Sequence, residues 1–364
     1  MNSRTQALQA LGQSLWVDNI SRDMLGNGTL KRYIDELSVT GLTSNPTIFE
    51  QAIGAGTAYD TQIAELAGAG QKGEDLFFQL AIQDLAQAAD LFLPAHRATQ
   101  GVDGWVSLEV SPEIVDDSAA TIAAAARLHA QAGKPNLYIK IPGTPAGVKA
   151  IEESIFAGVP INVTLLFSRE QYLAAAEAYL RGLERRVAAG LDPKVESVAS
   201  LFISRWDVAV KDQVPADQRN RLGLAISRRT YQAYRDLLAS PRWKKLAAAG
   251  AHPQRLLWAS TGVKDPAAPD TLYLDQLAAP GTVTTIPDKT LLAFADHGTA
   301  GPVLAADGGD AEAVIAAFRK LGIDDDALAA RLQKEGAASF SKSWKGLMAK
   351  IQDKSTQLAG AAAK

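Results

Sequence analysis

Two rhythms of apolar and polar positions alternate along the chain. Short apolar runs each end in a polar residue and a turn: SLWVDNI (14–20), VTGLTSNP (39–46), GWVSLEVSP (104–112), LYIKIPG (137–143), PINVTLLFS (160–168), VASLFISR (198–205), RLLWAST (255–261) and GTVTTIP (281–287). They read as strands. Between them lie stretches of helical period rich in alanine and leucine, such as 118–133, 145–158 and 169–190, each closed by a glycine suited to a C-cap. Strands alternating with helices predict parallel βαβ units. Eight of them predict an α/β fold closed as a (β/α)8 TIM barrel, in one domain spanning 1–364, rather than an open doubly wound sheet. A minimal barrel needs about 250 residues, and the surplus is expected as extra helices near 57–93 and 310–355. In the last of these, Phe340, Trp344, Leu347, Met348 and Ile351 share one apolar face, which is predicted to dock on the barrel.

Composition narrows the function classes. With 47% hydrophobic and 21% charged residues, the chain is expected to be soluble and globular. The balance of 37 basic against 40 acidic residues, with no long basic run, shows no nucleic-acid or membrane footprint. A small, locally charged ligand remains. Zero cysteines exclude disulfides, thiolate catalysis and Cys-based metal sites. The start, MNSRTQALQALGQSLW, lacks the apolar core of a signal peptide, and nowhere do 18 uninterrupted apolar residues occur, so a cytoplasmic location is expected. GAGQKG (68–73) fits G-x-G-x-x-G but follows a helical run instead of a strand, so it is read as a helix–helix turn. His96, His129, His252 and His297 are dispersed without ligand spacing, and are read as surface or packing residues.

Lys140, at the centre of LYIKIPG, is the residue most out of place. A strand lysine usually lays its stem on apolar surface and sends its ammonium to water. A lysine desolvated in an apolar pocket instead loses its proton more easily, and the free amine can attack a carbonyl to form a Schiff base. The barrel hypothesis helps to weigh these, because barrel enzymes build their sites where strands run into βα loops. Those strand ends are polar throughout: Asp18; Thr43, Ser44 and Asn45; Glu109; Lys140; Asn162 and Thr164; Ser200 and Arg205; Ser260, Thr261 and Lys264. Asp18 and Glu109 offer proton transfer, Lys140 an amine, Asn45 and Asn162 orientation, and Arg205 with Lys264 a cationic pocket for phosphate.

GLTSNPTIF (41–49) and YIKIPGTPAGVKAI (138–151) resemble the two signatures of the transaldolases of the longer bacterial type, the second carrying the Schiff-base lysine. VDNISRDML, SLEVSP, INVTLLFS, SLFISRWD and WASTGVKDP are similar to that family's other active-site segments. The resemblance implies transfer of a dihydroxyacetone unit from a ketose phosphate (fructose 6-phosphate or sedoheptulose 7-phosphate) to an aldose phosphate (glyceraldehyde 3-phosphate or erythrose 4-phosphate) in the pentose phosphate pathway. It implies no metal or organic cofactor, sugar phosphates as partners, and a monomer or homodimer. Lys140 would form the imine, Asp18 would take the hydroxyl proton during carbon–carbon cleavage, and Glu109 with Thr164 would relay protons through a water. Asn45 and Asn162 match positions that hold the dihydroxyacetone hydroxyls, Ser200 lies beside them, and Arg205 matches a phosphate anchor, with Ser260 among the substrate-binding residues. Many transaldolases carry a second arginine after strand seven. This chain offers Lys264, a point charge without the bidentate fork.

Phe202, two residues beyond Ser200, is expected to face the same side and to keep water from the enamine carbon. Related short aldolases resemble this family but place a tyrosine there. Two alternative readings stay open at this level: a lysine aldolase that releases free dihydroxyacetone or acts on deoxyribose phosphate, and a catalytically silent barrel that binds sugar phosphates. Product analysis separates the first, and imine formation at Lys140 the second.

Overall fold

The computed structural model describes residues 1–362, with side chains through residue 359. All eight predicted strands form: β1 Ser14–Val17, β2 Val39–Leu42, β3 Val106–Glu109, β4 Leu137–Pro142, β5 Ile161–Leu166, β6 Ser197–Phe202, β7 Arg255–Ala259 and β8 Val283–Ile286. Each pairs in parallel with the next, and β8 returns to β1 through Ser14↔Val283, closing the (β/α)8 barrel.

Alternation along each strand sorts side chains between two apolar layers. On β4, Leu137, Ile139 and Ile141 join the large core between barrel and helices, while Tyr138 and Lys140 turn inward. Trp16, Tyr138, Val198, Leu257 and Val283 belong to a second apolar cluster inside the barrel. Trp105 stacks on Tyr138 at 4.1 Å between ring centroids, and Asp103 accepts hydrogen bonds from Trp16 Nε1 and Thr40 Oγ1, each at 2.8 Å. This filled floor leaves the barrel open at the carboxyl ends of its strands.

The surplus helices fall where the sequence pattern put them. Asp60–Gly68 and Gly73–Ala98 follow β2, and the glycine-rich 68–73 segment forms the turn between them. Gly73–Ala98 is long and apolar enough to cross a membrane by length and composition, but it buries Phe77, Leu80, Leu85 and Phe92 in the core. At the other end, Ala311–Lys320 leads into the long helix Asp325–Ala362. Its predicted stripe docks: Phe340, Trp344, Leu347 and Ile351 are buried, Met348 is partly buried, and Trp344 meets Phe77 edge-on at 4.9 Å. Buried Arg229 pins the start of this helix, bonding Glu312 at 2.6 and 2.7 Å and Asp325 at 2.9 Å. Two carboxylates thus compensate one buried guanidinium, and Asp325 is shared with Arg319.

Asp207, on helix Ser204–Val210, is a buried carboxyl with no cationic partner within 4 Å among the described residues. It accepts hydrogen bonds from the Gly223 backbone N–H at 3.0 Å and the Tyr273 hydroxyl at 2.7 Å. Burial nevertheless pushes it up from 3.8 to about 6. A carboxyl whose pKa is raised on folding lends stability below its unfolded value, and that stability is lost as pH rises through the folded value. Asp207→Asn is therefore expected to gain on the wild type by roughly 2–3 kcal/mol between pH 4 and pH 7. Urea melts of both proteins across that range check this, and a constant difference would contradict it.

Candidate active site

The loops after β2, β4 and β5 are short and lead into capped helices, whereas the one after β7 runs from 260 to 271 before the next helix. Asn45 caps helix Pro46–Gly54 by accepting from Ile48 N at 3.1 Å, which leaves its amide –NH2 for the cavity. After β4, Thr144 caps helix Pro145–Ala157 and Pro145 supplies the first turn. Gly147 is required here, because a Cβ would lie 1.8 Å from the Pro142 carbonyl oxygen. The helix thus sits directly over the end of the strand that carries Lys140.

Strand register places Glu109 beside Lys140, and Lys140 beside Asn162. Lys140 is 5% and Glu109 6% exposed. The Lys140 Nζ lies 3.1 Å from Glu109 Oε2 and donates to the Ser44 carbonyl oxygen at 3.1 Å. Burial raises the Glu109 carboxyl above the usual carboxylate range, and the adjacent Lys140 charge opposes the rise. Asp18 is also raised by burial, against the opposing effects of Lys140 and a 2.7 Å hydrogen bond donated by Thr43. Two carboxyls of heightened proton affinity thus flank one amine. Thr164 Oγ1 is buried on the same side with no hydrogen-bond partner among the described residues.

Asp18, Asn45, Lys140, Thr164, Ser200, Phe202, Arg205 and Ser260 all border one cavity of about 180 Å³. Glu109 reaches it through Lys140. Asn162 lies beneath the cavity wall: it is fully buried, accepts from Ser200 Oγ at 2.8 Å and donates to Ser107 Oγ at 3.1 Å. Its position orients Ser200. Lys264 is not brought to this cavity; it is exposed and lines a neighbouring one with Asp207, Lys211 and Arg219. The cause is the turn after β7. Ser260 adopts φ 56°, and Thr261 Oγ1 is tied to the Thr285 carbonyl oxygen at 2.7 Å, so the chain leaves along the outer rim. The Lys264 charge still acts on Asp18.

Thr47, Ile48, Ala259, Thr285 and Phe340 also line the cavity, without having been singled out by the sequence pattern, and two of them bear on its chemistry. Thr285, whose hydroxyl lies 2.5 Å from that of Thr43, is the inward position after Val283 on β8, a signal present in the alternation of GTVTTIP. Phe340 comes from the C-terminal helix. Its membership of an apolar stripe was visible, but not the place where the stripe lands.

The chain matches the family model described as transaldolase/fructose-6-phosphate aldolase over residues 15–351. It is 45% identical over 362 residues to a curated transaldolase of Renibacterium salmoninarum, covering 97% of both chains. A transaldolase of an Arthrobacter species is 45% identical over 361 residues, with 97% of each covered. One from Neisseria gonorrhoeae is 41% identical over 345 residues, spanning 94% of this chain and 98% of its own.

Proposed function

The chain belongs to the transaldolase/fructose-6-phosphate aldolase family, and from that premise we propose that its barrel cavity transfers a dihydroxyacetone unit between sugar phosphates through an imine on Lys140. The observation that carries the reading is the buried Lys140 amine, 3.1 Å from a carboxyl of raised proton affinity, in a cavity that also holds Arg205. Lys140 passes a proton to Glu109 and attacks the C2 carbonyl of a ketose phosphate. Glu109, now protonated, returns that proton to the carbinolamine hydroxyl through a water held at Thr164, and water leaves. The resulting protonated imine is an electron sink. Asp18 takes the proton of the C4 hydroxyl as the C3–C4 bond breaks, and the bonding electrons become the enamine. An aldose phosphate departs, a second one accepts the new carbon–carbon bond, Asp18 returns its proton to the forming alkoxide, and water adds to the regenerated imine through the reverse of the Glu109 relay to free the ketose phosphate and Lys140. Asn45 and Ser200 hold the hydroxyls of the three-carbon unit, with Asn162 behind Ser200. Arg205 and Ser260 take the phosphate.

This reading makes sugar phosphates the substrates of a cytoplasmic enzyme of the pentose phosphate pathway, working as a monomer or homodimer. Fructose 6-phosphate and erythrose 4-phosphate, incubated with the full chain, are expected to give sedoheptulose 7-phosphate and glyceraldehyde 3-phosphate. Free dihydroxyacetone in place of sedoheptulose 7-phosphate would overturn transfer in favour of simple cleavage.

Transfer requires that the enamine outlive the departing aldose without being protonated at carbon. Phe202 borders the cavity and packs on Phe167 at 5.3 Å, offering a surface with no exchangeable proton. Phe202→Tyr places a hydroxyl there and is expected to raise the release of free dihydroxyacetone from fructose 6-phosphate without an acceptor. A folded variant with unchanged release would reduce Phe202 to packing.

A further inference from the structure

The Arg205 guanidinium makes no hydrogen bond or ion pair with any described residue, although it is half-buried and borders the cavity. Exposed arginines reach water, and buried ones are normally paired. Arg205 is held differently. Its guanidinium carbon lies 5.3 Å from the centroid of the Phe202 ring and 5.9 Å from that of Phe340, both within the range of cation–π attraction. The second ring comes from helix Asp325–Ala362, about 135 residues further along the chain. Gly336, one helical turn before Phe340, completes the contact: a Cβ there would lie 3.1 Å from Arg205 Nη1, so bare helix backbone packs on the guanidinium.

The same helix face is pinned where it crosses the barrel. Gln333 Nε2 donates to the carbonyl oxygens of Gly143 and Leu165, each at 3.0 Å, joining the ends of β4 and β5. Leu165 has φ 58°, a conformation costly for a branched side chain. It sits where the β5–β6 register shifts, and its side chain packs in the cluster that holds Phe167, Phe202 and Phe340. The position of Phe340 is therefore fixed by contacts on both sides. Its ring also lies 5.7 Å from Lys140 Nζ, facing the imine-forming amine as well as the arginine.

We propose that Phe340 is a specificity-determining residue for phosphorylated substrates: with Phe202 and the bare backbone at Gly336 it packs on Arg205 without accepting a hydrogen bond from it, leaving the hydrogen-bond donors of the guanidinium free for a phosphate. Rings attract the cation without consuming its N–H groups. A carboxylate in the same place would anchor the arginine but occupy the fork that a phosphate needs. The inference rests on Arg205 as the phosphate anchor.

The test compares borohydride trapping of the lysine adduct with fructose 6-phosphate and with unphosphorylated fructose, in the full chain. Phe340→Leu and Phe340→Met, two side chains of suitable bulk without a ring, are each expected to lower the preference for fructose 6-phosphate about tenfold. Phe340→Tyr, which keeps the ring, is expected to retain it. Two ring-less variants guard against misfolding of either. If Arg205→Ala lowers the preference while both ring-less variants keep it, the role of Phe340 is overturned and the anchor stands. If Arg205→Ala itself leaves the preference intact, the anchor fails and the inference with it.

Discussion

Replacing Lys140 with alanine is expected to abolish the borohydride-trapped adduct and to lower transfer activity by at least about 10⁴-fold, as removal of a covalent nucleophile does. Among the described residues no other amine lines the cavity, since Lys264 opens onto its neighbour. The truncation also strips Glu109 of its 3.1 Å partner, and an unpaired carboxyl so deeply buried will take up a proton more readily still. Circular dichroism and a thermal melt should therefore accompany the assay. Mass spectrometry of wild type reduced in the presence of fructose 6-phosphate should place the adduct on the peptide containing Lys140. An adduct on another lysine, or appreciable turnover by a folded Lys140→Ala, would overturn the mechanism.

Glu109→Gln is expected to slow imine formation by roughly 10²–10⁴-fold, the range of general acid–base catalysis. Glutamine keeps the shape and one acceptor oxygen beside Lys140, but it can neither take the proton of the attacking amine nor return it to the leaving hydroxyl. The loss should appear in the steps that make and dehydrate the carbinolamine. Carbon–carbon cleavage, which depends on Asp18, should be less affected. Rapid-quench trapping of the adduct separates these phases. An adduct that forms at the wild-type rate would remove Glu109 from the relay.

The barrel was readable because strand alternation and helix period are properties of adjacent residues. Tyr138 and Lys140 could be assigned to one side of β4, and Ile139 and Ile141 to the other, from order alone, and the polar strand ends then pointed to one mouth. What sequence order does not carry is direction after a strand ends. Lys264 lies four residues beyond Ser260, yet a left-handed serine and the Thr261 hydrogen bond send it to a different cavity. Leu165 likewise departs from strict alternation through a positive φ that leucine seldom adopts. Phe340 shows a further limit. Its apolar face predicted burial, but its landing place is set by Gln333, Gly336 and the Arg229 ion pairs, contacts between segments far apart in the chain.

The ribosome makes this protein from the first residue to the last, and the aromatic wall beside Arg205 is encoded about 50 residues after the barrel's final strand. At usual rates of synthesis that interval lasts roughly three to ten seconds. Throughout it a nascent chain can already hold Lys140, Glu109 and Asp18 on paired strands while the cavity still lacks one side. The last wall of the cavity arrives only with the helix that carries Phe340. The same helix buries Trp344, Leu347 and Ile351 in the main core, so the segment that completes the wall beside Arg205 also completes the packing of the helices around the barrel.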